Sequence, residues 1–237
     1  WKEAAAKENK IKAAQKSQAS NQEAEKSGPP SSVSAYRSRL VSQNKEMYKD
    51  PPVLPPSNVI VDATKQHGIP KRKKGSNELT FPPGTDEDVN TLLKSDFHPN
   101  VTPEEVLRAG AFGGTYFRPI RSAVTNELHK PAEVLSTTLQ PEWIEGLNKS
   151  TLLCSSTYRN NVNKFGVKCG GSLGMWESSG WITHVDPYGW FQWYCRFYSG
   201  RRCSDDMRQI KRWAQLAGPK GRFRSQLCNK ILAKNTT

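Results

Sequence analysis

Residues 186–200 read DPYGWFQWYCRFYSG, and this stretch decides the fold class. At 100° per residue, Trp190, Phe191, Trp193, Tyr194, Phe197 and Tyr198 cover most of the circumference of a helix. Only Gln192 and Arg196 define a polar side. Each aromatic ring removes a large area from water when buried, so a helix clothed in them belongs inside a core. Asp186-Pro187 supplies a helix start, with Asp186 as the cap, and Gly200 supplies a stop. The reading predicts one buried aromatic helix as the centre of a compact domain.

The segments downstream agree. Ser204-Asp205-Asp206 opens a second helix and sets two carboxylates against the positive end of its dipole. Met207, Ile210, Trp213, Ala214 and Ala217 then share one face, while Arg208, Lys211 and Arg212 lie on the other. Gly218-Pro219 ends it, and a last helix over about 221–233 aligns Phe223, Leu227 and Ile231 between Arg222, Arg224 and Lys230. Together these two form a basic C-terminal helical hairpin. Upstream, Ser172 caps a helix carrying Leu173 and Trp176, with Gly180 at its end and Trp181-Ile182 folding back. Thr102-Pro103-Glu104-Glu105 combines a cap, a proline at the first helical position and a glutamate placed to close a capping box. Thr85-Asp86-Glu87-Asp88 starts a short helix through Leu93, and residues 131–136 and 141–147 read as short helices that each begin with proline. Gly113 to Phe117 reads as extended. The fold class expected for residues 81–237 is therefore mainly α, a Trp-rich helical domain with one short extended segment.

Residues 1–80 read as a disordered, basic, proline-rich arm. Residues 1–27 are rich in Ala, Lys, Glu and Gln without a sustained apolar stripe, so a helix there has nothing to bury. Residues 28–58 hold the pairs Pro29-Pro30, Pro51-Pro52 and Pro55-Pro56, which remove amide donors and disfavour helix. Val59 to Val61 is a short apolar patch, and Lys71-Arg72-Lys73-Lys74 follows in polar chain. A hydrophobic content of 35% and a mean hydropathy of −0.73 fit a chain only part of which builds a core. The first residue is Trp1 rather than Met, so a processed or missing N-terminus is expected.

The run Gly189 to Tyr198, then Gly200-Arg201-Arg202, then Asp205 to Trp213, resembles a small uncharacterised protein family with the pattern GWFQWYCRF…GRR…DD.RQI.RW. Gly110 to Tyr116 and Trp176 to Trp181 are similar to the same family. The resemblance spans roughly 80–230 and omits the arm. It implies a coherent domain and brings no catalytic residue with it.

Charge points to the partner. The net charge is +13, and it is uneven: residues 151–237 carry 14 Lys/Arg against 4 Asp/Glu, while residues 81–150 carry 6 against 10. Clustered cations favour polyanions, because phosphates release condensed counterions when neutralised. The candidate nucleic-acid contacts are Arg201, Arg202, Arg208, Lys211, Arg212, Lys220, Arg222, Arg224 and Lys230 on the hairpin. The alternative for the same cations is a solvated basic face. Lys71, Arg72, Lys73 and Lys74 form a candidate nuclear localisation signal. The expected function is that of a nucleic-acid-associated, intracellular and nuclear protein. The alternatives are a structural subunit of a large ribonucleoprotein assembly and an enzyme with a pocket near His184.

Other classes receive little support. Five cysteines without a CxxC pair match neither a disulfide framework nor a zinc pattern. They fit reduced thiols inside the cell, which argues against secretion despite sequons at Asn100, Asn148 and Asn235. No run approaches a membrane span of about 18 apolar residues, and no metal or cofactor motif is present. His184 and Asp186 near Cys195 invite a thiol-catalysis reading. The aromatic helix around Cys195 instead makes it a small buried residue. Gly110 to Thr115 lacks the spacing of a phosphate loop and reads as close packing.

Overall fold

The computed structural model describes residues 58–62, 67–166, 168 and 171–235. Residues 1–57, the bulk of the expected arm, lie outside this set. In chain order the elements are β1 (Val61–Asp62), β2 (Lys71–Arg72), β3 (Leu79–Thr80), α1 (Glu87–Ser95), α2 (Pro103–Arg108), β4 (Ile120–Arg121), β5 (Leu128–His129), α3 (Pro131–Thr138), a 3₁₀ turn (Pro141–Ile144) and α4 (Lys149–Leu152). A 3₁₀ turn (Asn160–Val162), α5 (Leu173–Ser178), α6 (Trp190–Tyr198), β6 (Arg202–Cys203), α7 (Asp206–Ala217) and α8 (Arg222–Asn235) complete them. Among the described residues the fold is mostly helical, trimmed by three two-stranded ribbons.

α6 is the centre, as its aromatic circumference predicts. Phe191, Gln192, Trp193, Tyr194, Cys195 and Phe197 are buried. Trp193 stacks on Phe197 at 4.8 Å between ring centroids, and Phe97 meets Trp193 edge-on at 6.0 Å. Phe97 in turn packs against Trp213 of α7 at 5.1 Å, and Phe81 packs against Phe97 at 5.0 Å. Such tilted and edge-on pairs add specific attraction to area burial. α1 packs on α7, while α2 and α3 pack on α6.

Helix starts follow local chemistry. Asp86 accepts from the amides of Asp88 and Val89, Ser172 accepts from Met175, and Thr102 and Glu105 close a reciprocal capping box. Two starts differ from the sequence reading. α6 begins three residues later than Pro187, behind Gly189 with φ 85°, because the Asp186–Gly189 segment forms a tight turn. Asp186 does not cap it. α7 begins at Asp206 with no side-chain cap, and Asp206 accepts instead from Trp193 Nε1 (2.8 Å) and the Cys203 amide (2.9 Å). At the other end of α6, Gly200 has φ 99°, and a Cβ there would overlap the His67 carbonyl.

The described part of the arm is not separate from the domain. β1 pairs antiparallel with β6, Val61 opposite Cys203, and Val59 is buried in the same core as Phe97. β2 and β3 form a hairpin, and Leu79 is buried. Residues 58–62 and 67–80 therefore belong to the folded unit. Their short two-residue strands show no alternating pattern long enough to read in sequence. Gly113 to Phe117 also differs: it runs as consecutive turns, and the strand lies at Ile120–Arg121, pairing with Leu128–His129.

Arg72 ties that N-terminal hairpin down. Its guanidinium meets both Glu105 oxygens (2.8 and 2.9 Å), the Asn100 carbonyl (2.9 Å) and Asn77 Oδ1 (2.7 Å). Glu105 also accepts from the Thr102 amide, so one carboxylate serves the capping box and the hairpin. The pair is part-exposed, which limits its worth. Arg72→Gln should lower the free energy of unfolding by about 1 kcal/mol, whereas Lys73→Gln and Lys74→Gln should leave it unchanged. Urea titrations of the three variants check this, and equal losses in all three would remove the special role of Arg72.

Candidate anion-binding surface

The hairpin of α7 and α8 exists, joined by a turn in which Gly221 donates to the Gly218 carbonyl. From Met207 onward the chain holds eight Lys/Arg and no Asp/Glu. The structure divides the candidate cations into two groups.

The first group has internal work. Arg202 is 6% exposed, lies over the Phe197 ring at 4.0 Å, and donates to the carbonyls of Phe197, Arg201 and Pro82. It cannot reach a phosphate. Arg201 donates to both Asp186 oxygens at 2.8 and 2.6 Å. Asp186 is also met by Arg196 at 3.1 Å, and Arg196 reaches on to the Val185 carbonyl at 2.5 Å. Two arginines thus share one buried carboxylate, a clamp across the turn before α6. Arg208 pairs with Asp205 at 2.5 and 2.8 Å and donates to the Gly180 carbonyl. Arg201 and Arg202 are structural, and Arg208 is largely committed. Arg201 and Arg202 look the same as the others in sequence, because their partners lie outside their own segment, whereas Arg208 meets Asp205 three residues earlier at the start of its own helix.

The second group faces outward. Lys211, Lys220, Arg222, Arg224 and Lys230 are exposed, and none of them forms an ion pair among the described residues. Arg212 stands between the groups. Its guanidinium lies over the Trp181 ring at 3.9 Å and is half-buried, and no carboxylate or carbonyl of the described residues meets its N–H groups. Burial, helped by the neighbouring Arg208 charge, pushes its pKa down to about 10. A half-buried cation without an acceptor favours an incoming anion, and stacking on an indole holds the fork in place. Trp181 was not legible as part of this surface. Its sequence position shows only a chain folding back after Gly180.

α8 itself is exposed along its length. Phe223, Leu227 and Ile231, which share one side of the helix, are 55%, 59% and 50% exposed. The row is helical in spacing, as read, yet no element of the described structure covers it.

The remaining candidates fall out by geometry. Of the expected localisation run, Lys71 and Arg72 form a strand and Lys73 and Lys74 enter the hairpin turn. The run is therefore ordered, and Arg72 is bound by a carboxylate rather than remote from one. Cys195 is fully buried, and burial raises its thiol pKa well above the ordinary value. His184 is exposed and Asp186 is held by two arginines, so the three residues do not form a nucleophile–base pair. Among the described residues no cluster of three His, Cys, Asp or Glu is placed to hold a metal ion. Nor is any helix of the described residues long and apolar enough to cross a membrane. No protein-family model, curated protein or solved structure matches the chain.

Proposed function

We propose that this protein binds the phosphate backbone of nucleic acid through the α7–α8 hairpin. The observation that carries the reading is Arg212, a half-buried guanidinium stacked on Trp181 with no acceptor of its own, in a helical pair that holds no Asp or Glu after Asp206. Lys211 lies beside it, and Lys220, Arg222 and Arg224 continue the positive surface around the turn. Phosphate contacts of this kind position a protein and carry no base sequence, so binding is non-specific in the first instance.

Salt dependence tests it. Lys211, Arg212, Arg222 and Arg224 replaced together by Gln should reduce the slope of log K against log salt on duplex DNA by up to ~3.6, at ~0.9 per phosphate. The melting temperature should stay within a few degrees, since Arg212 contributes only a stacking contact worth ~1 kcal/mol. An unchanged slope in a folded variant removes nucleic acid from this face.

A second reading has its own observation. The exposed row Phe223, Leu227 and Ile231 is the kind of helix face that docks in a protein groove. On it rests the proposal that the protein is a structural subunit of a ribonucleoprotein, with the cations on RNA and the row on a protein neighbour. Nuclear placement rests on Lys71, Lys73 and Lys74, which remain exposed. A fluorescent fusion in which these three are replaced by Gln checks it, and unchanged nuclear signal would exclude the run as the address.

A further inference from the structure

A groove of about 1400 Å³ is lined by no residue of α7 or α8. Its walls come from α3, the 3₁₀ turn that follows, α4, β1 and the end of α6. Leu135, Leu139, Ile144 and Val185 make it apolar. Two charged side chains in its lining decide its chemistry, Arg196 and Arg201, whose side chains keep 19% and 15% exposure. Their shared carboxylate, Asp186, is 1% exposed and is not part of the lining. The groove therefore meets the guanidiniums, while the balancing charge sits behind them.

That clamp is also incomplete in charge. Arg196 and Arg201 share Asp186, and Arg202 and Asp206 lie within electrostatic reach of Arg201, so three guanidiniums meet two carboxylates, one positive charge is left over, and the Nε of Arg201 is buried without an acceptor. Arg196 spends its other donors on Thr137 and on the Val185 carbonyl, which are neutral. The lining also holds one acidic and one basic side chain, Asp62 and Lys149, which add no net charge. Bidentate forks of this kind match planar or tetrahedral oxyanions. An apolar concavity with a few convergent polar groups is the usual form of a small-molecule site.

We propose that the groove binds a small amphiphilic oxyanion, a carboxylate or phosphate monoester on an apolar body. The head lies against Arg196 and Arg201 and neutralises the surplus charge. The body lies along Leu135, Leu139 and Ile144. Cys154, also in the lining, takes no part as a nucleophile, because burial raises its thiol pKa.

Calorimetric titration of the full chain with octanoate, octyl phosphate, octanol and acetate tests this. Octanoate should bind about tenfold or more tightly than octanol, the value of one hydrogen bond to a charged group. Acetate, lacking the body, should bind at least about a thousandfold more weakly than octanoate, since the six methylenes by which they differ, at about 0.8 kcal/mol each when buried, are lost. The ratio of octyl phosphate to octanoate distinguishes the two head groups. Arg196→Gln should erase the advantage of octanoate over octanol. Should that variant not fold, Ala132→Trp, an exposed position on the α3 wall, fills the groove without touching the clamp and should abolish binding of both. Octanoate no better than octanol, binding unaltered by Ala132→Trp, or no binding of any probe overturns the proposal. None of these outcomes bears on the α7–α8 surface, whose salt slope is read separately.

Discussion

Trp193→Ala should be among the most damaging single substitutions in this protein, lowering the free energy of unfolding by about 4–8 kcal/mol. Two losses add. The indole is fully buried between Phe97 and Phe197, so its removal leaves a cavity that the surrounding rings cannot close, at about 3–5 kcal/mol. Its Nε1 also donates to Asp206, a carboxylate whose pKa burial already raises and which the Trp193 and Cys203 donors hold down. Without the indole that buried oxygen loses an essential donor, at about 1–3 kcal/mol. Trp193→Phe separates the contributions, because it keeps most of the ring volume and loses the N–H. It should cost about 1–3 kcal/mol. Chemical denaturation with tryptophan-independent circular dichroism measures both. A loss below ~1 kcal/mol for the Ala variant would show that the ring is not part of a packed core, and would make it available for stacking on a base.

Asp186→Asn should cost about 3–5 kcal/mol, the range for a buried ion pair stripped of one partner. The reason lies in the two-to-one arrangement. Removing Asp186's charge leaves both Arg196 and Arg201 largely buried with no carboxylate, and their mutual repulsion uncompensated. Removing one arginine leaves the carboxylate paired with the other. Arg196→Gln should therefore cost less than Asp186→Asn, and the double variant should cost less than the sum of the two. Thermal and urea melts of the three chains test the order. Arg196→Gln proving the worse would mean that the arginine's bonds to Val185 and Thr137, and not the charge balance, hold the turn before α6.

Sequence and structure agree where one element's own residues decide the outcome. The capping box at Thr102 and Glu105 and the cap at Ser172 are local hydrogen bonds between residues a few positions apart. The aromatic circumference of α6 admits no orientation that leaves it dry except burial. The two-residue strands β1 and β2 carry no local signal because what stabilises them is distant: β1 pairs with a strand more than a hundred residues away, and Arg72 holds β2 against Glu105.

The candidate site divides along the same line. Composition by itself determines that the C-terminal third is strongly basic and that its last thirty-one residues hold no carboxylate. Charge count is a property of the chain, and folding cannot change it. Which cations face water is a property of packing. Only the tertiary structure placed Asp186 between Arg196 and Arg201, set Arg202 on Phe197, and left Arg212 on Trp181 with no acceptor. Likewise, helical spacing determines that Phe223, Leu227 and Ile231 form a row, but not whether anything covers it. In this fold that row stays at least half exposed, so an apolar pattern at helical spacing stands at the surface. The physical reason is common to all these cases. Periodicity and capping are set by neighbours along the chain, whereas burial and ion pairing are set by neighbours in space, which the chain's turns and pairings bring together whatever their separation in sequence.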